Sequence, residues 1–302
     1  MAPRPRSFVQ PCYLFELPNC GDFGLPSILR NATVRVTLSS LFQAVQGRLG
    51  VSVTPLHFYF PVPNIKSLNQ KNWNEPRKWG AFDYRLEEQI DRLHRELVPY
   101  ADEWKFPSRA TDSEHEFHLN NGFFERIDAE IAYSFVRERK PRRLIEIGSG
   151  NTTLLIAAAM RRNAAEGAPG EFIAIEPHPA GFLRNLPGLS RLIVMRVQDV
   201  SFDLFCTLEG GDILFIDSSH VVAMDSDVLY ECLQILPVLA TGVRVHFHDI
   251  FAPLDYPEKF VKRNLCFWGE QYMLEAFLSF NTAFQVVWSG ERDAAMAFRC
   301  AV

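Results

Sequence analysis

No pair of cysteines is spaced as CxxC, no uninterrupted apolar stretch approaches the length of a membrane span, and neither repeats nor low-complexity tracts occur in this 302-residue sequence. Each absence excludes something. Six scattered cysteines (Cys12, Cys20, Cys206, Cys232, Cys266, Cys300) read as reduced thiols in a cytoplasmic protein rather than a disulfide or zinc framework. The basic excess that marks a nucleic-acid or anionic-membrane surface is also missing: formal net charge is −5, with both signs mixed along the chain. The N-terminal stretch carries Arg4 and Arg6 but is broken by prolines, so it is read neither as a signal peptide nor as a span. Without secretion, the sequon Asn31-Ala32-Thr33 is only formal. A small molecule is therefore the expected partner, with no nucleic acid and no membrane, and an oligomer is left open.

What is present is enough apolar sequence, 47 %, to bury a full α/β core and carry an accessory segment. From residue 143 onward short apolar runs alternate with helix-like stretches, predicting strands near 143–147, 172–176, 192–196, 212–216 and 243–248 in a parallel sheet with crossover helices. The runs 284–288 and 295–299, close together around Gly290, read as a closing antiparallel hairpin. Residues 1–118 are assigned to an N-terminal extension and an α-helical/irregular cap, and 119–302 to the main domain. Within the cap, Phe82, Leu86, Ile90, Leu93 and Leu97 predict one apolar helix face over 82–97. A helix over 123–138 is expected to bury Phe124, Ile127, Ile131 and Phe135, and another to span Asp225–Leu236. Residues 1–50 suggest one strand at 33–38 and a short helix near 38–48, with no assigned role.

The most informative stretch is Arg142-Arg-Leu-Ile-Glu-Ile-Gly-Ser-Gly-Asn-Thr-Thr153, an apolar strand that ends in an acid and two glycines and opens a helix. Gly148 and Gly150 are expected to take positive φ and admit a ligand to the backbone, with Asn151 as N-cap. A pyrophosphate fits poorly, because Glu146 stands at the strand end and Thr153 fills the third fingerprint-glycine position. A cationic ligand fits better. Successive strand ends carry Glu146, Glu176, Asp199 and Asp217, which a doubly wound sheet brings to one crevice.

Through Glu-Ile-Gly-Ser-Gly at 146–150, Ile-Glu-Pro at 175–177, Gln-Asp at 198–199 and Phe-Ile-Asp at 215–217, the chain resembles the class I S-adenosylmethionine-dependent methyltransferases over roughly residues 120–302. The resemblance implies a Rossmann-like fold with a mostly parallel seven-stranded sheet, and S-adenosyl-L-methionine as cofactor. It further implies that Gly148 and Gly150 line the methionine and ribose, that Glu176 accepts from the ribose hydroxyls, that Gln198 and Asp199 lie at the adenine, and that Asp217 lies near the methionine ammonium. Glu146 belongs to the same cofactor-binding set. Asn121 could reach the cofactor carboxylate or serve as a local cap.

Methyl transfer to oxygen or nitrogen usually needs a proton removed, so His220 and His248 are the expected bases, with Asp217 beside them. Asp217, His248 and Asp249 also resemble the ligand positions of metal-dependent small-molecule O-methyltransferases, although a histidine ligand suits magnesium poorly. His246 is expected to be a hydrogen-bonded core residue on the same strand face as His248. Tyr59, Tyr256, Trp268 and Tyr272 are the substrate-side candidates. The expectation is O- or N-methylation of a small molecule with a histidine base. A cofactor-binding scaffold or partner subunit without turnover is the alternative, and an NAD-dependent oxidoreductase the third.

Overall fold

A computed structural model describes residues 45–51, 61–77, 82–290 and 296–300. The chain divides into two compact units, Met1–Pro63 and Asn64–Val302. In the first, residues 45–49 are helical; the expected strand at 33–38 and Tyr59 lie outside the described residues.

The second unit is built on a seven-stranded sheet in the order β3-β2-β1-β4-β5-β7-β6. Strands β1 (Arg143–Ile147), β2 (Glu171–Ile175), β3 (Arg191–Ile193), β4 (Ile213–Ile216) and β5 (Arg244–Phe247) run parallel. The period of two in the strands divides their apolar residues between two cores. Ile145, Ile147, Ile173 and Ile175 face one side, Leu144, Phe172 and Phe215 the other. The first side is covered by Val228 of the short helix α4 (Asp227–Tyr230), by Cys232 and Ile235 after it, and by Leu274 and Leu278 of the late helix α5 (Glu270–Phe280). The second is covered by α2 (Asp128–Arg139) and α3 (Asn151–Ala165), through Ala129, Ala132, Val136, Leu154 and Leu155. Helices on both faces of a parallel sheet are the doubly wound arrangement that the alternating sequence pattern implies. β6 (Phe284–Ser289) and β7 (Met296–Cys300) close it, β7 running antiparallel between β5 and β6.

Helix α1 (Leu86–Arg92) continues through Leu93–Leu97 and Val98–Glu103 as one winding segment. Its buried side differs from the expected one. Leu86 and Ile90 are 62 % and 60 % exposed, whereas Gln89 is buried. The reason is polar anchoring: Gln89 donates through Nε2 to Tyr84 O (2.5 Å) and accepts the backbone N–H of Ser289 (2.9 Å), tying α1 to the end of β6. Two turns on, Leu97 packs with Ile131, Phe135 and Val287. The segment after Pro63 therefore packs on the sheet unit itself, with Trp104 Nε1 donating to Ser134 Oγ (2.9 Å) of α2.

Helix α2 also starts later than periodicity suggests. It begins at Asp128, so Ile127 precedes the helix and is 64 % exposed, while Phe124, Ile131 and Phe135 are buried as expected. Arg137, 1 % exposed, is neutralised by Glu103 (2.8 Å) and Glu166 (2.6 Å), which lets a nearly all-buried helix carry a charge. At its end Lys140 adopts the left-handed conformation (φ 46°), and the chain turns through Pro141 into β1.

Candidate functional site

The turn after β1 is wedged between its two neighbouring strands. Gly148 donates to Ile175 O (3.0 Å) at the end of β2, and Asp217 donates to Ile147 O (2.8 Å) from the end of β4. Gly148 has φ +79°, and a Cβ there would lie 1.8 Å from the carbonyl oxygen of Asp217. Both facts require glycine. Gly150 is different: its φ of 179° is ordinary extended backbone, correcting the expectation of a second left-handed glycine. It is also the N-cap in place of Asn151, which is the first helical residue; the N–H of Gly150 donates to Thr153 Oγ1 (2.9 Å). Thr153 at the third fingerprint position is thus a capping residue.

Glu176, at the end of β2, accepts the N–H of Ser149 (3.2 Å) through Oε2 and the N–H of His178 (2.7 Å) through Oε1. It fixes the glycine turn and keeps lone pairs for a ligand diol. Gly148, Glu176, Gln198 and Asp217 line a crevice of about 620 Å³ at the carboxyl ends of the strands. It lies where the strand order reverses between β1 and β4, the place at which open α/β sheets hold ligands.

Three expected members stand elsewhere. Glu146 is 0 % exposed beneath the turn, accepting from Thr152 Oγ1 (2.6 Å), and burial pushes its carboxyl up to about 8 against the two threonine hydrogen bonds that favour the charge. It supports the turn from inside. Asp199 is exposed and pairs with Arg196 (2.8 and 3.1 Å), which holds its carboxyl below the usual range; Gln198, not Asp199, reaches the wall, with its amide donating to Asp225 O (2.8 Å). The Asn121 side chain is engaged in its own loop, donating to His118 O and Phe124 O and accepting from the N–H groups of Phe123 and Phe124.

Between β4 and β5 lies a charged cluster centred on His220. Its Nδ1 is 2.7 Å from Glu270 Oε2, while Nε2 is 3.6 Å from both Asp217 Oδ1 and Asp249 Oδ2. The start of α5 grips the same residue from the other side, since the N–H groups of Gly269 (2.9 Å) and Glu270 (3.2 Å) donate to His220 O. Burial opposes charge on the ring, but the hydrogen bond to Glu270 and the three carboxylates prevail and raise it to about 9. At neutral pH this is an imidazolium. His220 and Asp249 both adopt positive φ (61° and 53°), a conformation of non-glycine residues that concentrates at functional loops.

His248 is 5 % exposed, tilts against Phe124 (4.8 Å between centroids), has no hydrogen-bond partner at Nδ1, and has Nε2 3.7 Å from Asp249 Oδ1. His246 stacks on Phe215 at 4.0 Å, and burial first, then the neighbouring His248, keeps it neutral. It is the expected core histidine, although its Nε2 lacks the expected partner.

His248 and Asp249 belong to the wall of a second cavity, about 540 Å³, completed by residues including Trp73, Asp128, Phe251 and Phe260. Asp217 lines the first space and Asp249 the second, so His220 bridges them. Tyr256, Trp268 and Tyr272 form a brace behind these walls. Tyr256 is 2 % exposed and its phenol accepts the N–H of Gln271 (3.0 Å); Trp268 lies against His220 (4.5 Å); Tyr272 donates to Asp255 (3.0 Å). Gln271 holds the loop after β5, accepting from the N–H of Phe251 (2.6 Å) and donating to Leu254 O (2.8 Å).

Sequence reasoning misses Glu270 and Glu231, both 0 % exposed. Glu231 accepts from Ser218 Oγ (3.1 Å), and burial first, then the neighbouring Glu270, raises its carboxyl well above the usual range. A glutamate at a helix start looks like ordinary capping charge; only the fold brings Glu270 to a histidine fifty residues earlier. Among the described residues no group of three or more His, Cys, Asp or Glu is arranged to hold a metal ion, so Asp217, His248 and Asp249 do not fit the metal site that their positions suggested. Nor is any helix among the described residues long and apolar enough to cross a membrane.

Residues 145–250 match the family model described as a methyltransferase domain. A relative from Archaeoglobus fulgidus, an uncharacterized protein, is 31 % identical over 182 residues, covering 55 % of this chain and 78 % of that one. Among solved structures, the S-adenosylhomocysteine-bound methyltransferase of Podospora anserina is 17 % identical, covers 83 % of this chain and 100 % of its own, and overlays with a TM-score of 0.41. An O-methyltransferase from Bacillus cereus in complex with S-adenosylhomocysteine is 14 % identical, covers 86 % and 97 %, and gives 0.35. The matched domain spans the glycine turn, Glu176 and Asp217, which line the crevice, and the end of β5, which lines the second cavity. Residues 145–250 of the chain are a methyltransferase domain by family match.

Proposed function

We propose that S-adenosylmethionine occupies the crevice beside Gly148, Glu176, Gln198 and Asp217, and that its methyl group passes in line to an oxygen or nitrogen of a small molecule in the cavity beside His248 and Asp249. The observation that carries the reading is the glycine turn seated on the Asp217 carbonyl and held by Glu176 at the sheet's switch point. Glu176 accepts from the ribose hydroxyls, and Asp217 accepts from the methionine ammonium. Both carboxylates favour a ligand whose sulfonium and ammonium are cationic. The second cavity has the volume of a small-molecule site.

Methyl transfer forms a bond from the nucleophile to the methyl carbon, breaks the carbon–sulfur bond and releases S-adenosylhomocysteine with a proton. His248 is the better base. His220 already carries a proton, fixed by Glu270, whereas His248 stands on the cavity wall with Nδ1 unpartnered. His220 instead acts as a fixed cation that keeps Asp217 and Asp249 in place at the junction of the two spaces.

The His248→Ala variant should keep its affinity for S-adenosylmethionine while turnover falls by about 10²–10⁴-fold, the usual range for a removed general base. Release of S-adenosylhomocysteine against pools of phenols and amines checks this. A rate within a few fold of wild type across pH would remove His248 from the base role, and binding without turnover on any pool would favour a scaffold.

A further inference from the structure

We infer that residues 64–77 form a flap on the cavity beside His248 and Asp249, latched by charge at Asp255 and able to open while the sheet stays folded. The inference rests on the proposed function only in assigning that cavity to the methyl acceptor. Trp73 and Asn74 of this segment line the cavity together with His248, Asp249 and Phe251. These walls are held in different ways. His248 and Phe251 are buried in the sheet unit, whereas no residue of 64–77 is buried. The apolar side chains of the segment, Ile65, Leu68 and Trp73, join none of the four apolar clusters formed by the described residues. A segment that contributes nothing to an apolar core is held by polar tethers, and such segments open locally at a free energy well below that of global unfolding.

The tethers converge on one carboxylate. Asp255, in the loop after β5, pairs with Lys71 and with Arg77 (3.3 Å), and accepts from the Tyr272 hydroxyl (3.0 Å). Arg77 also pairs with Glu275 of α5, lies 4.7 Å over the Tyr272 ring, and donates through its backbone N–H to Pro253 O (3.0 Å). Charge is complementary across the contact. The segment carries Lys66, Lys71 and Arg77 against Glu75 alone, and it meets Asp255 and Glu275. Those two carboxylate side chains are only 11 % and 10 % exposed, so the pairs are less screened than ion pairs on an open surface.

Neutralising Asp255 therefore removes the pairs to Lys71 and Arg77 together, without touching a core side chain. Opening of the latch carries Trp73 and Asn74 away and exposes the cavity on that side. The crevice beside Gly148 and Glu176 is lined by other residues and keeps its shape. Acceptor entry and cofactor binding are thus governed by separate parts of the chain.

The test is hydrogen exchange of the full chain, read on peptides covering 64–77 and 251–258, where the Arg77 N–H reports contact with Pro253 O. Raising salt from about 0.05 M to about 0.5 M should speed exchange in these peptides by about threefold or more and leave β1 and β4 unchanged. Asp255→Asn should exchange about tenfold faster at low salt and lose most of the salt response, while Asp255→Glu, which keeps the charge, restores both. Acrylamide quenching of Trp73, taken as the difference from Trp73→Phe, should rise with the same salt step. A thermal melt establishes that Asp255→Asn is folded; if it is not, the wild-type salt response decides. Exchange in 64–77 that occurs only with global unfolding, or that ignores salt, overturns the inference. Titrating S-adenosylhomocysteine into the same preparations separates the two readings. Equal affinity in wild type and Asp255→Asn is expected, and absence of binding to the wild type would strike the cofactor assignment while the exchange data still judge the flap.

Discussion

Gly148→Ala should unfold or severely loosen the cofactor crevice, with stability falling by about 3 kcal/mol or more and S-adenosylhomocysteine binding lost. Two independent costs fall on one methyl group. The backbone is at φ +79°, where an L side chain is strained, and the new Cβ would sit 1.8 Å from the Asp217 carbonyl oxygen. That oxygen belongs to the end of β4 and cannot swing aside like a flexible side chain. Relief must come from moving the β1 turn away from β4, which also pulls Ser149 from Glu176. Gly150→Ala is the internal control: its extended φ and open surroundings predict only a small change. Thermal denaturation and cofactor titration of the two variants provide the comparison, and equal effects would contradict this account of the turn.

Removing Glu270 should be the second large effect. Glu270→Ala leaves the His220 ring buried with its strongest partner gone, and breaking a buried ion pair from one side typically costs about 3–5 kcal/mol. The pH dependence has a definite sign. The folded-state titration of His220 is raised to about 9 from the ordinary 6.5, so the folded chain holds an extra proton between those values. The stabilisation from this group is complete below pH 6.5 and disappears as pH rises through about 9. The stability gap between wild type and Glu270→Gln should therefore be widest near pH 6 and narrow toward pH 10. Nuclear magnetic resonance of the imidazole should find the His220 midpoint near 9 in the wild type and clearly lower in Glu270→Gln. A wild-type midpoint at or below 6.5 would return His220 to the list of general bases.

These effects also divide what the sequence reveals from what it hides. The parallel strands are legible because residues buried on both faces make short apolar runs, and Ile145, Ile147, Ile173 and Ile175 lie in one core as such a pattern requires. The glycine turn and Glu176 are legible because strand, turn and helix follow one another in register. Side-chain direction beyond a strand end is not. Asp199 turns outward to Arg196 because a salt bridge three residues away is available, and Glu146 turns inward to Thr152 because the pleat points it beneath the turn. The face of α1 misleads for a related reason. Gln89 is buried by hydrogen bonds to Tyr84 and Ser289, so the helix rotates Leu86 and Ile90 outward, and no apolar periodicity encodes such an anchor. The His220–Glu270 pair depends on chain segments fifty residues apart and becomes visible only once β4 and α5 are adjacent.

The most direct test of the central claim is calorimetric titration of S-adenosylhomocysteine into the wild type and the Glu176→Ala variant. The proposed crevice predicts saturable one-to-one binding to the wild type and a loss of about tenfold or more in the variant, which lacks the carboxylate proposed to accept from the ribose hydroxyls. Wild-type heats absent under these conditions, or equal affinities for the two proteins, would contradict the assignment of this crevice to the cofactor.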